Sequence, residues 1–197
     1  MDKEAPLIVG IGGTMRPGST SEMALAAALK MAREMGARTQ ILSGAALLMD
    51  AYEPGATARS EKAGQLVAAL RQADGVLISS PSYHGSISGM LKNAIDYTED
   101  MRADERPYLD GRAVGCIVCA DGAQAMGSTL FTLRSIIHAL RGWPTPYAAA
   151  LNSAAKPFGP AGEIKDENVE KQLQMMVSQV VGFAQREHTA GGLSLQH

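Results

Sequence analysis

The chain alternates short, nearly unbroken apolar runs with longer stretches in which apolar residues recur every three or four positions. "PLIVGI" (6–11), "RTQILS" (38–43), "GVLISS" (75–80) and "RAVGCIVCA" (112–120) have the length and composition of strands. An unbroken run such as 75–80 suits a strand covered on both faces. "TPYAAAL" (145–151) is a weaker fifth strand, whose prolines suit an edge. Helices are predicted over 21–35 (Ser21 as cap, Gly36 as stop), about 58–73, 87–101, 128–141 and about 166–187. In 87–101 the stripe Ile87, Met90, Leu91, Ala94 and Ile95 has the spacing of a core-facing helix, with Lys92, Asp96 and Glu99 on its other faces. Residues 1–188 are expected to form one domain and 189–197 a flexible tail.

Five strand-then-helix units predict an α/β fold: a doubly wound, three-layer arrangement around a five-stranded parallel sheet of order 2-1-3-4-5. Ligands of such sheets sit beyond the carboxyl ends of the strands, at the switch point beside the first strand. Three loops therefore matter: 12–20, 81–87 and 120–128.

Composition narrows the partners. The 197 residues carry a net charge of -2 and no basic run, which argues against nucleic acid and anionic membranes. No apolar run reaches the roughly 18 residues a membrane span needs. The acidic start "MDKEAPLIVG" does not resemble a signal peptide. Two cysteines provide no disulfide framework, and a cytoplasmic setting is expected. Cys116-x-x-Cys119 falls inside a strand, where residues three apart face opposite ways, so it reads as buried structure rather than a redox pair. The four histidines do not cluster, and no metal site is expected. His138 and Trp143 read as packing residues around helix 128–141 and the fifth strand.

The first loop belongs to "GIGGTMRPGSTS" (10–21), which almost matches two nucleotide signatures. It has P-loop spacing with Ser19 in place of the lysine. It opens like a dinucleotide fingerprint with Met15 in place of the third glycine. What remains is a helix start, the hydroxyls of Thr14, Ser19, Thr20 and Ser21, and the forked charge of Arg16. That set suits one terminal phosphate; the plainer alternative is a Ser/Gly turn that caps a helix. In "PSYHGSI" (81–87), Pro81 and Gly85 fix the path, Tyr83 and His84 present flat groups, and Ser82, Ser86 and the nearby Ser88 offer donors. A planar ring would suit this lip; the alternative is a plain turn with Ser86 as N-cap. In "ADGAQAMGS" (120–128), Gly122 and Gly127 allow close approach, Gln124 can donate or accept, and Asp121 could hold a loop or a substrate. A flexible connection is the default reading there.

These residues carry a resemblance. "GTMRPGSTS" resembles the G-S-x-R-x-x-S loop of the NAD(P)H-dependent FMN reductase family, with Thr14 in the first serine position. "SPSYHGSISGMLKNAIDY" resembles that family's P-x-Y-x-x-S-x-x-G-x-L-K-N-x-I-D segment, and the similarity covers roughly residues 7–150. It implies a flavodoxin-like fold, FMN as cofactor and NADPH or NADH as hydride donor. Thr14, Arg16, Ser19 and Ser21 would bind the 5′-phosphate, with Thr20 beside them. Pro81, Ser82, Tyr83, His84, Gly85 and Ser86 would line the ribityl chain and ring edge, and Asp121 and Gly122 would approach from the third loop. His84 departs from the family's frequent asparagine. No catalytic side chain is required, because FMN carries the chemistry. The acceptor would be a free flavin, a quinone, an azo dye or a similar small molecule, with a flavin-dependent monooxygenase as an implied partner. A homodimer or homotetramer is implied, with Lys92, Asn93 and Asp96 as contact candidates. A flavodoxin-like electron carrier is the rival reading, but carriers of that kind are acidic and sandwich the ring between aromatics. This chain is nearly neutral, with 5% aromatics and only Tyr52 in the loop after the second strand. A non-catalytic oligomeric binding protein is a third reading.

Overall fold

A computed structural model describes the backbone of residues 5–190 and the side chains of residues 5–187. Strands β1 (Leu7–Gly12), β2 (Arg38–Ser43), β3 (Gly75–Tyr83) and β5 (Ala113–Ala120) pair in parallel in the order β2-β1-β3-β5. The fifth position, beyond β5, is shared by two short strands, β6 (Trp143–Pro144) and β7 (Ala149–Asn152). The predicted order is thus realised, but the predicted continuous strand 145–151 is not. Pro146 has no N–H to extend a ladder, and Thr145 Oγ1 turns back to donate to the Tyr147 carbonyl at 2.7 Å. One further strand, β4 (Ser86–Ile87), pairs antiparallel with the end of β3.

Helices α1 (Thr20–Glu34) and α5 (Glu167–Ala190) cover one face. Helices α2 (Glu61–Gln72), α3 (Gly89–Asp96) and α4 (Ala123–Ala139) cover the other. The apolar stripe of α5 runs through Val169, Leu173, Met176, Val177, Val180 and Ala184, all buried. The stripe predicted near residue 90 is confirmed in Leu91, Ala94 and Ile95, but α3 ends at Asp96 and continues as a 3₁₀ turn, Tyr97–Met101. Because α5 runs to Ala190, it extends two residues past the expected boundary at 188, and residues 191–197 of the expected tail lie outside the described residues.

Cys116 and Cys119 fall in the cores on opposite faces of the sheet, and burial pushes both thiols up to about 12. They are inert structure, as the strand periodicity predicts. Trp143 and His138 correct the expectation of packing. Trp143 is 61% exposed on the short edge strand, and His138 is exposed in the last turn of α4. Asn93, a contact candidate between subunits, is committed within the chain: it accepts from the Tyr52 amide at 2.8 Å and donates to the Asp50 carbonyl at 2.9 Å. Lys92 and Asp96 pair with each other at 2.6 Å.

Arg112 has a role that the hydrophobic pattern did not disclose. It is 1% exposed and donates to the carbonyls of Ala73, Tyr108, Asp110 and Arg71 at 3.0–3.3 Å. Burial lowers its pKa to about 10, so it is charged at neutral pH. It ties the end of α2 to the start of β5, at the amino-terminal edge of the sheet.

Candidate functional site

The opposite, carboxyl edge gathers the three loops. The first leaves β1 and is fixed by two contacts to β3. The Gly13 amide donates to the Ser79 carbonyl at 2.8 Å, and Ser79 Oγ donates to the Ser21 carbonyl at 2.7 Å. Thr14 is buried, whereas Arg16 is exposed at the tip. Ser19, not Ser21, is the N-cap of α1: its Oγ accepts from the Glu22 amide at 3.3 Å and lies 3.3 Å from Ser21 Oγ. The structure therefore brings Ser19, Thr20 and Ser21 together at one helix start, with Thr14 buried in the loop that leads to it and accepting from the Arg16 amide at 3.1 Å. The first amides of α1 have no acceptor within the helix, and its dipole end favours an anion.

The second segment is a β-hairpin rather than a plain loop. Pro81, Ser82 and Tyr83 continue β3, Ser86 and Ile87 form β4, and Tyr83 pairs with Ser86 across a two-residue turn. His84 (φ 52°) and Gly85 (φ 80°) make that turn, both in the left-handed region that a type I′ turn demands. Holding a histidine there costs about 1–2 kcal/mol. Tyr83 is 53% exposed and His84 is also exposed, so both rings stand at the lip. Ser82 differs from expectation. Its hydroxyl lies 2.6 Å from Thr129 Oγ1 and 3.2 Å from the Ala125 carbonyl, committed to α4. Ser86 is not a cap; Ser88 caps α3 by accepting from the Leu91 amide at 3.2 Å.

The third loop is shorter than predicted. Helix α4 begins at Ala123, so Gln124 and Gly127 lie on the helix, and only Asp121 and Gly122 remain between strand and helix. The expectation of a flexible, glycine-lined loop over 120–128 is corrected: a glycine inside a helix is tolerated when the surrounding turns pack. Asp121 and Gly122 are exposed, and a side chain at Gly122 would meet no atom within 4 Å. Gly122 caps α4 without a side-chain acceptor, so a second helix start opens at this edge.

The three segments adjoin. A Cβ at Gly13 would lie 2.7 Å from Ser88 Oγ and 2.9 Å from Leu91 Cβ, so only glycine lets the first loop close on the helix leaving the hairpin. The hairpin is bound in turn to α4 through Ser82 and Thr129. The edge thus presents hydroxyls, amides and one arginine on one side, and two exposed aromatic rings with open space near Gly122 on the other. That donor set fits a flavin mononucleotide, which has one terminal phosphate, a hydroxylated chain and a flat ring. Among the described residues no group of His, Cys, Asp and Glu could hold a metal. No helix there is long and apolar enough to cross a membrane.

Sheet order and site together define a flavodoxin-like flavoprotein. Residues 6–156 match the family of NADPH-dependent FMN reductases, and the chain belongs to that family. An NAD(P)H-dependent FMN reductase from Pseudomonas aeruginosa is 27% identical over 173 residues, covering 86% of this chain and 90% of the relative. An FMN-dependent NADPH-azoreductase from Staphylococcus aureus is 29% identical over 113 residues, 56% of each protein. Among solved structures, the flavoenzyme NAD(P)H:(acceptor) oxidoreductase FerB from Paracoccus denitrificans superposes with a TM-score of 0.73 at 23% identity, over 92% of this chain and 98% of that one.

Proposed function

We propose that this chain is an NAD(P)H-dependent FMN reductase that passes electrons to a free flavin or another small acceptor. The observation that carries the reading is the joining of the Thr14–Ser21 helix start to the Tyr83–Ser86 hairpin at the carboxyl edge of the sheet. The chemistry supplied by bound FMN is hydride acceptance at its N5 from a nicotinamide, followed by electron release to a second substrate. The chain's part is to bind and orient. Thr14, Arg16, Ser19, Thr20 and Ser21 hold the phosphate. Tyr83, His84, Gly85 and Ser86, with the backbone of Pro81 and Ser82, form the rim for the chain and ring. The start of α4 after Gly122, which has no side-chain cap, would offer its amides and dipole end to negative charge on a bound ring. Tyr83 and His84 are exposed at the lip, so a ring held there would keep a face open to nicotinamide and then to the acceptor, and ping-pong kinetics are expected.

Tyr52 weighs against the electron-carrier reading. Its ring lies under the Arg59 guanidinium at 4.7 Å and edge-on to Tyr97 at 5.3 Å. That engagement is with α2's lead-in and α3's extension, not with an open flavin face. Quinone or azo reduction is the alternative within the same chemistry. A cytoplasmic homodimer or homotetramer is part of this proposal. The recess of about 330 Å³ between α3 and α4 is lined by Ile95, Ile136 and Leu140 together with Lys92, Asp96 and Glu99; a monomer by light scattering overturns the oligomer part of the proposal. For the activity, anaerobic mixing of the FMN-loaded protein with NADPH and with NADH should bleach the visible flavin band and show which donor is preferred. No bleaching with either overturns the enzyme reading. An obligatory ternary complex overturns ping-pong turnover.

A further inference from the structure

The start of α1 already has a negative charge on it. Ser19-x-x-Glu22 is a reciprocal cap: Ser19 Oγ accepts from the Glu22 amide at 3.3 Å, and Glu22 Oε2 accepts from the Gly18 amide at 2.6 Å. Gly18 sits at φ +67° with nothing near its Cα face, so this contact is open to solvent. Thr14 Oγ1 takes the Arg16 amide at 3.1 Å. The loop therefore satisfies the amides of Arg16, Gly18 and Glu22 with its own side chains, and one of the acceptors is a carboxylate. An incoming phosphate would share that dipole end with the Glu22 carboxylate, a like charge. Glu22 is bordered by open space. It lines a cleft of about 830 Å³ along the outer face of α1, with Met23, Ala26 and Lys30 beside it and Ile164 opposite.

We propose that Glu22 is an internal competitor for the phosphate loop, and that it keeps FMN exchangeable rather than permanently held. The proposal rests on the reading of residues 14–21 as the phosphate site. Glutamine at position 22 keeps an oxygen that can accept from the Gly18 amide and removes the charge. Glu22→Gln should therefore bind FMN about fivefold tighter than the native chain. Riboflavin, which lacks the phosphate, should change by less than about twofold. Flavin fluorescence titrations of both ligands with both proteins read this out. FMN dissociation should slow in the variant, and the inhibition constant of inorganic phosphate should fall by a similar factor. Unchanged or weaker FMN binding by Glu22→Gln, while the native chain still prefers FMN over riboflavin, overturns the proposal and leaves the phosphate site standing. Equal binding of FMN and riboflavin by the native chain overturns the phosphate site, and the proposal with it.

Discussion

At the amino-terminal edge of the sheet, Arg112 is 1% exposed and meets four carbonyl oxygens. Beside it the Leu7 amide donates to Asp74 at 2.8 Å, and the Asp74 amide returns a bond to the Leu7 carbonyl at 2.9 Å. At the carboxyl edge, Arg16 is exposed, α4 starts without a side-chain cap, and His84 is held in a left-handed turn. The two edges belong to the same strands, so strand chemistry does not distinguish them. Direction does. Parallel strands followed by helices put every helix start at one edge, with unpaired amides and positive dipole ends. The other edge receives helix ends, whose spare carbonyls one buried arginine can satisfy. One edge is closed by internal hydrogen bonds; at the other, side-chain caps take some of the helix-start amides, and the first amides of the helices and the whole start of α4 keep donors to offer.

The sharpest way to break this contrast is at the closed edge. Arg112→Ala leaves several carbonyls without a donor and should lower stability by about 3–4 kcal/mol in denaturant titration. The folded fraction should still bind FMN with native affinity, because the substitution lies at the far end of the strands. At the open edge the order reverses. Arg16→Ala should weaken FMN binding by about one to two orders of magnitude, since a hydrogen bond to a charged group is worth roughly 1.5–3 kcal/mol. Its unfolding midpoint should barely move; unchanged FMN affinity would place the phosphate elsewhere. Gly85→Val forces a branched residue to the turn's φ of 80° and should cost about 1–2 kcal/mol. It should also weaken FMN binding, and a variant with native affinity would remove the hairpin from the site.

The smallest effect lies between the edges, where Arg59 forms a two-pronged bond to Asp100, with 2.8 Å to each carboxylate oxygen. The bond from Arg59 holds the Asp100 pKa below the ordinary aspartate value. A carboxyl depressed in the folded state adds stability above its unfolded pKa of about 3.9, and that stability is lost as pH falls through the folded value. Asp100→Asn should therefore lower stability by at most about 1 kcal/mol at neutral pH, because the pair is partly exposed. The difference from the native chain should vanish in acid. A difference that persists there would assign the contribution to the Arg59–Tyr52 stacking instead.

Particular residues show where local pattern is enough. β1, β3 and β5 are legible because strands buried on both faces must be apolar throughout, and that leaves a mark in any one stretch. The Ser/Gly loop after β1 is legible as a strand-to-helix junction, because clustered glycines and hydroxyls turn the chain and cap a helix there. The cap shows the limit of the same method: Ser21 and Ser19 are chemically alike, and backbone conformation selects Ser19. The start of α4 at Ala123 was hidden because Gly127 reads as a loop residue until its helix is packed.

The alternation of apolar runs and amphipathic stretches by itself determined the layer order, the parallel sheet and the edge where chemistry belongs. Those follow from burial and chain direction, and both are written locally. Only the tertiary structure decided that Thr129, 47 residues away, takes the Ser82 hydroxyl, and that Asn93 spends its amide on the Asp50–Tyr52 segment. It likewise decided that Arg112 serves carbonyls from residues 71, 73, 108 and 110. A polar side chain's partner is set by what the fold brings within about 3 Å of it, and no periodicity in the chain records that distance.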